Sequence, residues 1–359
     1  MHASLPYYLG FNLVAGIGPV RLQRLIAICG SAAAAWAADD RQLRAAGCDA
    51  RARAALHSVR SSVDLAAELA RLAAAGVTPL AVDTPDYPPL LREIPTAPPL
   101  IYVRGTLLPA DAQRSIAVVG TRRPSAYGRE VTERIVGDLA EAGLTIVSGL
   151  ALGVDTLAHR AALARGGRTL AVLAGGVDRP YPQSNLQLAR RITGHGALIS
   201  DYPLGTPAAP LNFPPRNRII SGLSRAVLVI EAGEQSGAMI TVNFALDQGR
   251  DVLAVPGSIF NPASNGPNHL LRQGALAVRS AADVLEALDL SAPLRSNEPA
   301  ELSAGSPEAV VLALLRGAAH SIDQLSRSSG LPAAQIAGLL AVLEIRGSVR
   351  RCGPHTFIA

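Results

Sequence analysis

Apolar residues change their spacing three times along this chain, and each change predicts a different kind of structure. Up to about residue 75 they recur at helical intervals, predicting helices over Tyr7 to Val14 and Val20 to Cys29 and two further Ala/Arg/Leu-rich segments ending near Ala75. The turn between the first two, Ala15-Gly16-Ile17-Gly18-Pro19, fits a helix-hairpin-helix whose backbone N–H groups can meet a phosphate. A plain turn in a small bundle fits it equally well.

From about 76 to 290 the pattern becomes short β-branched runs separated by helical segments, as βαβ units of a parallel sheet require. Strands are expected at Ser115 to Val119, Thr145 to Val147, Thr169 to Leu173, Ala197 to Ser200, Ala226 to Ile230 and Val252 to Val255. Each is brief and almost wholly apolar, as a strand covered on both faces should be. The proline-rich piece Pro79 to Arg104 reads as extended structure on an edge. Residues 291–306, a run of Ser, Pro, Asn, Glu and Ala, read as a linker. Beyond it, helices at Pro307 to Arg316, Ile322 to Ser328 and Pro332 to Arg346 and a hairpin-like end at Ser348 to Ile358 follow winged-helix order. The third of these helices offers only Gln335 and Arg346 as base-reading side chains, which favours a protein-contact or regulatory module over a sequence reader.

Composition narrows the chemistry. The 359 residues are 49% hydrophobic, enough for a full core, and carry a formal charge of +5, a modest excess that suits a polyanionic partner. All 33 basic residues are arginine, so a Schiff-base lysine and a G-x-x-x-x-G-K-[ST] phosphate loop are both excluded. Cys29, Cys48 and Cys352 are scattered, with neither a zinc spacing nor a disulfide framework, so no metal is expected and a reducing cytosol is the natural compartment. No apolar run has the length of a membrane span, and membrane insertion is not expected.

The strand ends carry the candidate site. Gly120-Thr121-Arg122-Arg123 follows the first core strand, and Ser148-Gly149 opens the loop after the second. Gly175-Gly176-Val177-Asp178-Arg179-Pro180-Tyr181 follows the third. In a parallel sheet such loops converge, and glycine lets backbone N–H groups approach an anion. The densest feature is Phe213-Pro214-Pro215-Arg216-Asn217-Arg218, which sets two guanidinium groups at a helix N-terminus, where the dipole disfavours a bare cation and an anion is expected.

Taken in order, these pieces resemble the DNA-processing protein A family, also called Smf. The resemblance is carried by Val119 to Arg122 with Tyr127-Gly128, Ser148 to Asp155 with Ala158-His159, Tyr181-Pro182 with Asn185, and Asp201-Tyr202-Pro203 with Gly205. It continues through Phe213 to Ser224, Ser236-Gly237 with Ile240-Thr241, Gly249-Arg250 with Val255-Pro256-Gly257, and Gly266 to Gly274. It implies an α/β fold with an extended Rossmann-like core over 76–290, an N-terminal sterile-alpha-motif-like or helix-hairpin-helix domain over 1–75, and a winged helix over 307–359. It also implies a cytoplasmic, non-catalytic homodimer without cofactor that binds and protects single-stranded DNA and loads the RecA recombinase during natural transformation. Positions that match the family's pocket are Gly120, Thr121, Arg122, Ser148, Gly149, Arg216, Asn217 and Arg218. The chain departs from some members at Leu152, where they have arginine, and at Gln183, where they have lysine.

The expected mechanism is physical binding. Arg122, Arg123, Arg216 and Arg218 neutralise phosphates and the Gly120 and Gly149 amides cradle one of them. Tyr127, Tyr181, Tyr202 and Phe213 lie on the motif loops, as stacking platforms for bases or as packing. No catalytic residues are expected: Asp155 and His159, four apart, read as a helix cap and a histidine beneath the loop rather than an acid–base pair. The rival reading is a Rossmann-like nucleotide N-glycosidase using Asp178 or Glu231, weakened because Glu231-Ala232-Gly233-Glu234 lacks a Pro-Gly-Gly start.

Overall fold

Six helices open the chain: α1 (Leu5–Asn12), α2 (Pro19–Cys29), α3 (Ala32–Trp36), α4 (Asp40–Ala45), α5 (Ala50–Ser62) and α6 (Leu65–Ala74). Ser31, Asp39, Asp49 and Asp64 accept backbone N–H bonds at the starts of α3 to α6. These caps restart the helix at each point and divide into four what the apolar pattern reads as two. Next come β1 (Thr78–Ala81), α7 (Pro89–Arg92), β2 (Leu100–Gly105) and α8 (Pro109–Gln113). The alternating core follows as β3 (Ser115–Val119), α9 (Ala126–Glu141), β4 (Thr145–Ser148), α10 (Val154–Ala164), β5 (Thr169–Val172), α11 (Leu186–His195) and β6 (Gly196–Ser200). It ends with α12 (Phe213–Gly222), β7 (Ala226–Val229), α13 (Gly237–Asp247), β8 (Asp251–Ala254), α14 (Asn265–Arg272), β9 (Leu276–Ala277) and α15 (Ala281–Ala287).

The nine strands form one sheet in the order β1-β2-β6-β5-β4-β3-β7-β8-β9. From β6 to β9 all neighbours are parallel, whereas β1 and β2 run antiparallel on the edge beside β6. Strands β3 to β7 are buried along their whole length, and each fully buried Ile, Val or Leu contributes roughly 1.5–3 kcal/mol over its exposed state. The chain steps from β3 through β4 and β5 to β6, then crosses back to place β7 on the other side of β3. At that reversal the loops leaving β3 and β7 part in opposite directions, and a crevice opens at their carboxyl ends.

The opening helices are not separated from the sheet. Leu9, Phe11, Leu25, Leu43, Leu56 and Leu72 share one core cluster with Leu100, Tyr102, Leu173, Leu188 and Leu198. Polar ties lock the contact: Tyr102 Oη donates to Asn12 Oδ1 at 2.8 Å, and Asn12 Nδ2 donates to the Asp201 carbonyl at 3.1 Å.

The computed structural model describes residues 2–290, 307–315, 320–345, 349–353 and 356–358, and divides into compact units Met1–Ala292 and Pro293–Ala359. The linker expected at 291–306 lies outside the described residues, as do Arg316 and Arg346. The second unit holds α16 (Pro307–Leu315), β10 (His320–Ser321), α17 (Ile322–Ser329), α18 (Ala333–Ile345), β11 (Arg350–Gly353) and β12 (Thr356–Ile358). Its strands pair antiparallel in the order β10-β12-β11, a winged-helix arrangement closed over Val311, Leu315, Leu325, Ile336, Leu340 and Phe357. Gln335, the early base-reader of its third helix, is exposed between alanines.

Candidate nucleic-acid interface

A cavity of about 710 Å³ occupies the crevice at the topological reversal. The β3 loop supplies Gly120, Thr121, Arg122 and Arg123; the start of α12 supplies Phe213, Pro214, Arg216 and Asn217; the start of α13 supplies Ser236, Gly237 and Thr241. Tyr181 and Pro210 stand at its edge, and Ala151 and Asp155 also line it. Its charged lining is three arginines against one carboxylate, and that carboxylate belongs to a residue only 9% exposed.

Each loop is held in place from beneath. Thr121 N–H donates to the Glu231 carbonyl at 2.6 Å, and the Thr121 carbonyl accepts from Val154 N–H at the start of α10. Gly153, at φ +79°, makes this possible: a Cβ there would run into the Thr121 carbonyl oxygen and the Arg122 backbone. Gly149 serves a second close approach, since a Cβ would sit 2.8 Å from Arg216 Nη2 and 2.9 Å from Asp155 Oδ2.

Arg216 is the centre of this packing. Its Nη1 donates to the Gly149 carbonyl at 2.9 Å and to the Val172 carbonyl, and its Nε donates to Asn217 Oδ1. Burial lowers its pKa to about 10, while the nearby Asp155 works in the opposite direction. Asp155 is itself pushed upward by burial, against the pull of Arg216 and of hydrogen bonds from Ala151 N–H, Gly149 N–H and Ser148. The Gly149 amide expected to cradle a phosphate is therefore turned to Asp155. Arg216 carries its charge to the cavity floor already braced by carbonyls, and Nη2 remains without a hydrogen bond among the described residues.

Not every expected residue reaches the cavity. Ser148 Oγ donates to the Val118 carbonyl inside the sheet. Arg218 faces elsewhere: its Nη2 meets Asp201 Oδ2 at 2.9 Å and its Nε and Nη1 donate to the Thr96 and Pro215 carbonyls. The anion that the helix N-terminus calls for is here a carboxylate of the protein. Tyr127 stands outside the lining, its Oη donating to the Pro256 carbonyl at 2.8 Å, and Tyr202, also outside it, is half-buried. Tyr181 and Phe213 do meet, with ring centroids 6.1 Å apart at 67°. Arg122 and Arg216 sit 5.7 and 5.8 Å from the Phe213 centroid, so the aromatic edge is flanked by two cations.

The acid–base candidates fall outside such chemistry. Asp155 is not a cap, because Gly153 holds that position. His159 is fully buried with Nδ1 2.7 Å from Thr169 Oγ1. That hydroxyl donates to the Ile146 carbonyl, so at the ring it accepts from Nδ1. Both Glu231 oxygens are engaged, by Ser125 N–H, Ser125 Oγ and Asn261 Nδ2, and Asp178 accepts from Gly205 N–H. Neither lines the cavity. The wall formed by Ser236, Gly237 and Thr241 was absent from the sequence-based site, although Ser236-Gly237 is a fourth glycine at a strand end.

With this geometry in place, residues 78–289 match the family described as DNA recombination-mediator protein A, and residues 295–353 match the DprA winged helix domain. The chain belongs to the DprA/Smf family. The DNA processing protein DprA of Bacillus subtilis is 43% identical over 213 residues, 59% of this chain and 72% of that protein. Protein Smf of Escherichia coli is 38% identical over 273 residues, 74% of this chain and 73% of that protein. Among solved structures, DprA from Streptococcus pneumoniae superposes with a TM-score of 0.69 at 34% identity, covering 78% of this chain and 97% of that one. DprA from Helicobacter pylori, solved to describe its single-stranded DNA binding mode, gives a TM-score of 0.54 at 28% identity over 60% of this chain and 97% of that one.

Proposed function

We propose that this DprA/Smf protein binds and protects single-stranded DNA in the crevice and, as a cytoplasmic homodimer, loads the RecA recombinase onto it during natural transformation. The observation that carries the reading is the lining of the cavity. Arg122 and Arg123 are exposed with no ion-pair partner among the described residues, beside an aromatic pair formed by Tyr181 and Phe213. Guanidinium groups grip phosphate oxygens, and aromatic rings receive bases that a single strand, unlike a duplex, leaves unstacked. Binding suffices for this task, because the carboxylates that an N-glycosidase needs are occupied inside the protein.

The test is a salt titration of oligonucleotide binding. Arg122→Ala is expected to weaken single-strand affinity and to reduce the dependence of log K on log salt by about 0.7, one phosphate contact's worth. Duplex and mononucleotide should bind less well than the long single strand. Equal affinity and an equal salt slope for Arg122→Ala and the wild type would remove the basis of this reading.

A further inference from the structure

Arginines without partners are not spread evenly over the first unit. Most of the described arginines outside the cavity are tied to carboxylates or carbonyls, as Arg165 is to Glu141, Arg168 to Asp111 and Arg250 to Glu93. Arg160 on α10, Arg179 in the loop after β5, and Arg190 and Arg191 on α11 are different. All are exposed, and none has a side-chain hydrogen bond or ion pair among the described residues.

Their placement is set by the fold. Both α10 and α11 begin at the carboxyl edge of the sheet, where the cavity lies, and run back along neighbouring strands while packing against one another. At 1.5 Å per residue, Arg160 stands about 9 Å and Arg190 about 6 Å along its helix from that edge. The guanidinium groups therefore sit at comparable depth on adjacent helices. Arg179 bridges the gap to the cavity, two residues before Tyr181 on its rim. Gln187, Arg190, Arg191 and Gly194 share the exposed face of α11, while Leu188, Ala189 and Ile192 face the core.

The carboxylates near this path do not neutralise it. Between residues 142 and 200 only Asp155 and Asp178 are acidic; the first is buried and the second is held by Gly205 N–H. Negative charge resumes on α9, which packs against α10 and exposes Glu130 and Glu133. A row of unpaired guanidinium groups bordered by acid and leading away from an anion-binding cavity suits the backbone of a polyanion longer than the cavity can hold.

We infer that the strand leaving the cavity past Tyr181 runs along the α10–α11 face, its phosphates met by Arg179, Arg160, Arg190 and Arg191; this path rests on the single-strand reading of the cavity. It adds length-dependent affinity without base reading.

The experiment uses the full chain and oligothymidylates of about 6 and about 20 nucleotides, lengths that span the usual site size of such proteins. The triple variant Arg160→Ala/Arg190→Ala/Arg191→Ala is expected to bind the longer strand at least about tenfold more weakly at low salt. Its salt slope should fall by about 2, and the short strand should bind as to the wild type. The double variant Arg190→Gln/Arg191→Gln, which keeps polar side chains on the exposed face, should show an intermediate loss at an unchanged melting temperature. Wild-type affinity and slope for the longer strand in the triple variant, with Arg122→Ala weakening both lengths, overturns the path and leaves the cavity reading standing. Arg122→Ala without effect at either length overturns the cavity reading, and the path with it. Loss of duplex binding alone in the triple variant also overturns the path.

Discussion

Arg216 and Arg218 lie two positions apart on one helix and have different fates. Arg216 lines the cavity floor, braced by the Gly149 and Val172 carbonyls. Arg218 is 8% exposed and paired to Asp201, whose Oδ1 already has no hydrogen bond among the described residues. Removing Arg218 strands the whole carboxylate in the interior, and breaking a buried pair in this way costs about 3 kcal/mol. Arg218→Ala should therefore lower the urea midpoint with its m-value unchanged, while Arg122→Ala, at an exposed position, moves it by less than about 0.5 kcal/mol. An Arg218→Ala protein as stable as the wild type would show that the pair contributes nothing. The sequence marks both arginines as charges needing an anion. It does not reveal that the anion for one of them is Asp201, because that pairing depends on how the segment after β6 packs against α12.

At the scale of elements the core strands were readable nearly to the residue, since a strand buried on both faces leaves an unbroken apolar run bounded by turn residues. β9 was not readable, because two exposed residues carry no pattern. α10 shows what spacing alone cannot tell. Asp155 and His159 share a face, yet one faces the loop amides and the other is turned to β5 through Thr169. Burial drives the His159 pKa down to about 3, against about 6.5 in the unfolded chain. Below about pH 6.5 the unfolded chain takes up a proton that the native state refuses, so stability falls as pH falls, until about pH 3. Between pH 7 and pH 5 the wild type should lose about 2 kcal/mol more than His159→Gln, measured by urea unfolding at both values. Equal losses in the two proteins would place the imidazole in contact with solvent.

At the scale of the whole molecule, the convergence of loops at the reversal between β3 and β7 followed from strand order, which alternating runs of strand and helix already suggest. What could not be read was that the opening helices and the sheet are one body. A composition change near residue 75 looks like a boundary, but cohesion is decided by which apolar faces meet. Here Leu9, Phe11 and Leu72 cover the same core as Leu100, Tyr102 and Leu198. The second unit has its own closed core around Leu325, Leu340 and Phe357. Two truncations should therefore behave differently. A chain ending at Leu290 keeps every residue of the three clusters of the first unit, and should unfold in a single urea transition at the midpoint of that unit in the full protein. A chain beginning at Thr78 exposes the sheet side of the shared core, at roughly 1.5–3 kcal/mol for each large apolar side chain uncovered. It should unfold at a distinctly lower urea concentration and bind a hydrophobic dye. Matching midpoints for the Thr78 chain and the Leu290 chain would mean that the helices rest on the sheet without stabilising it.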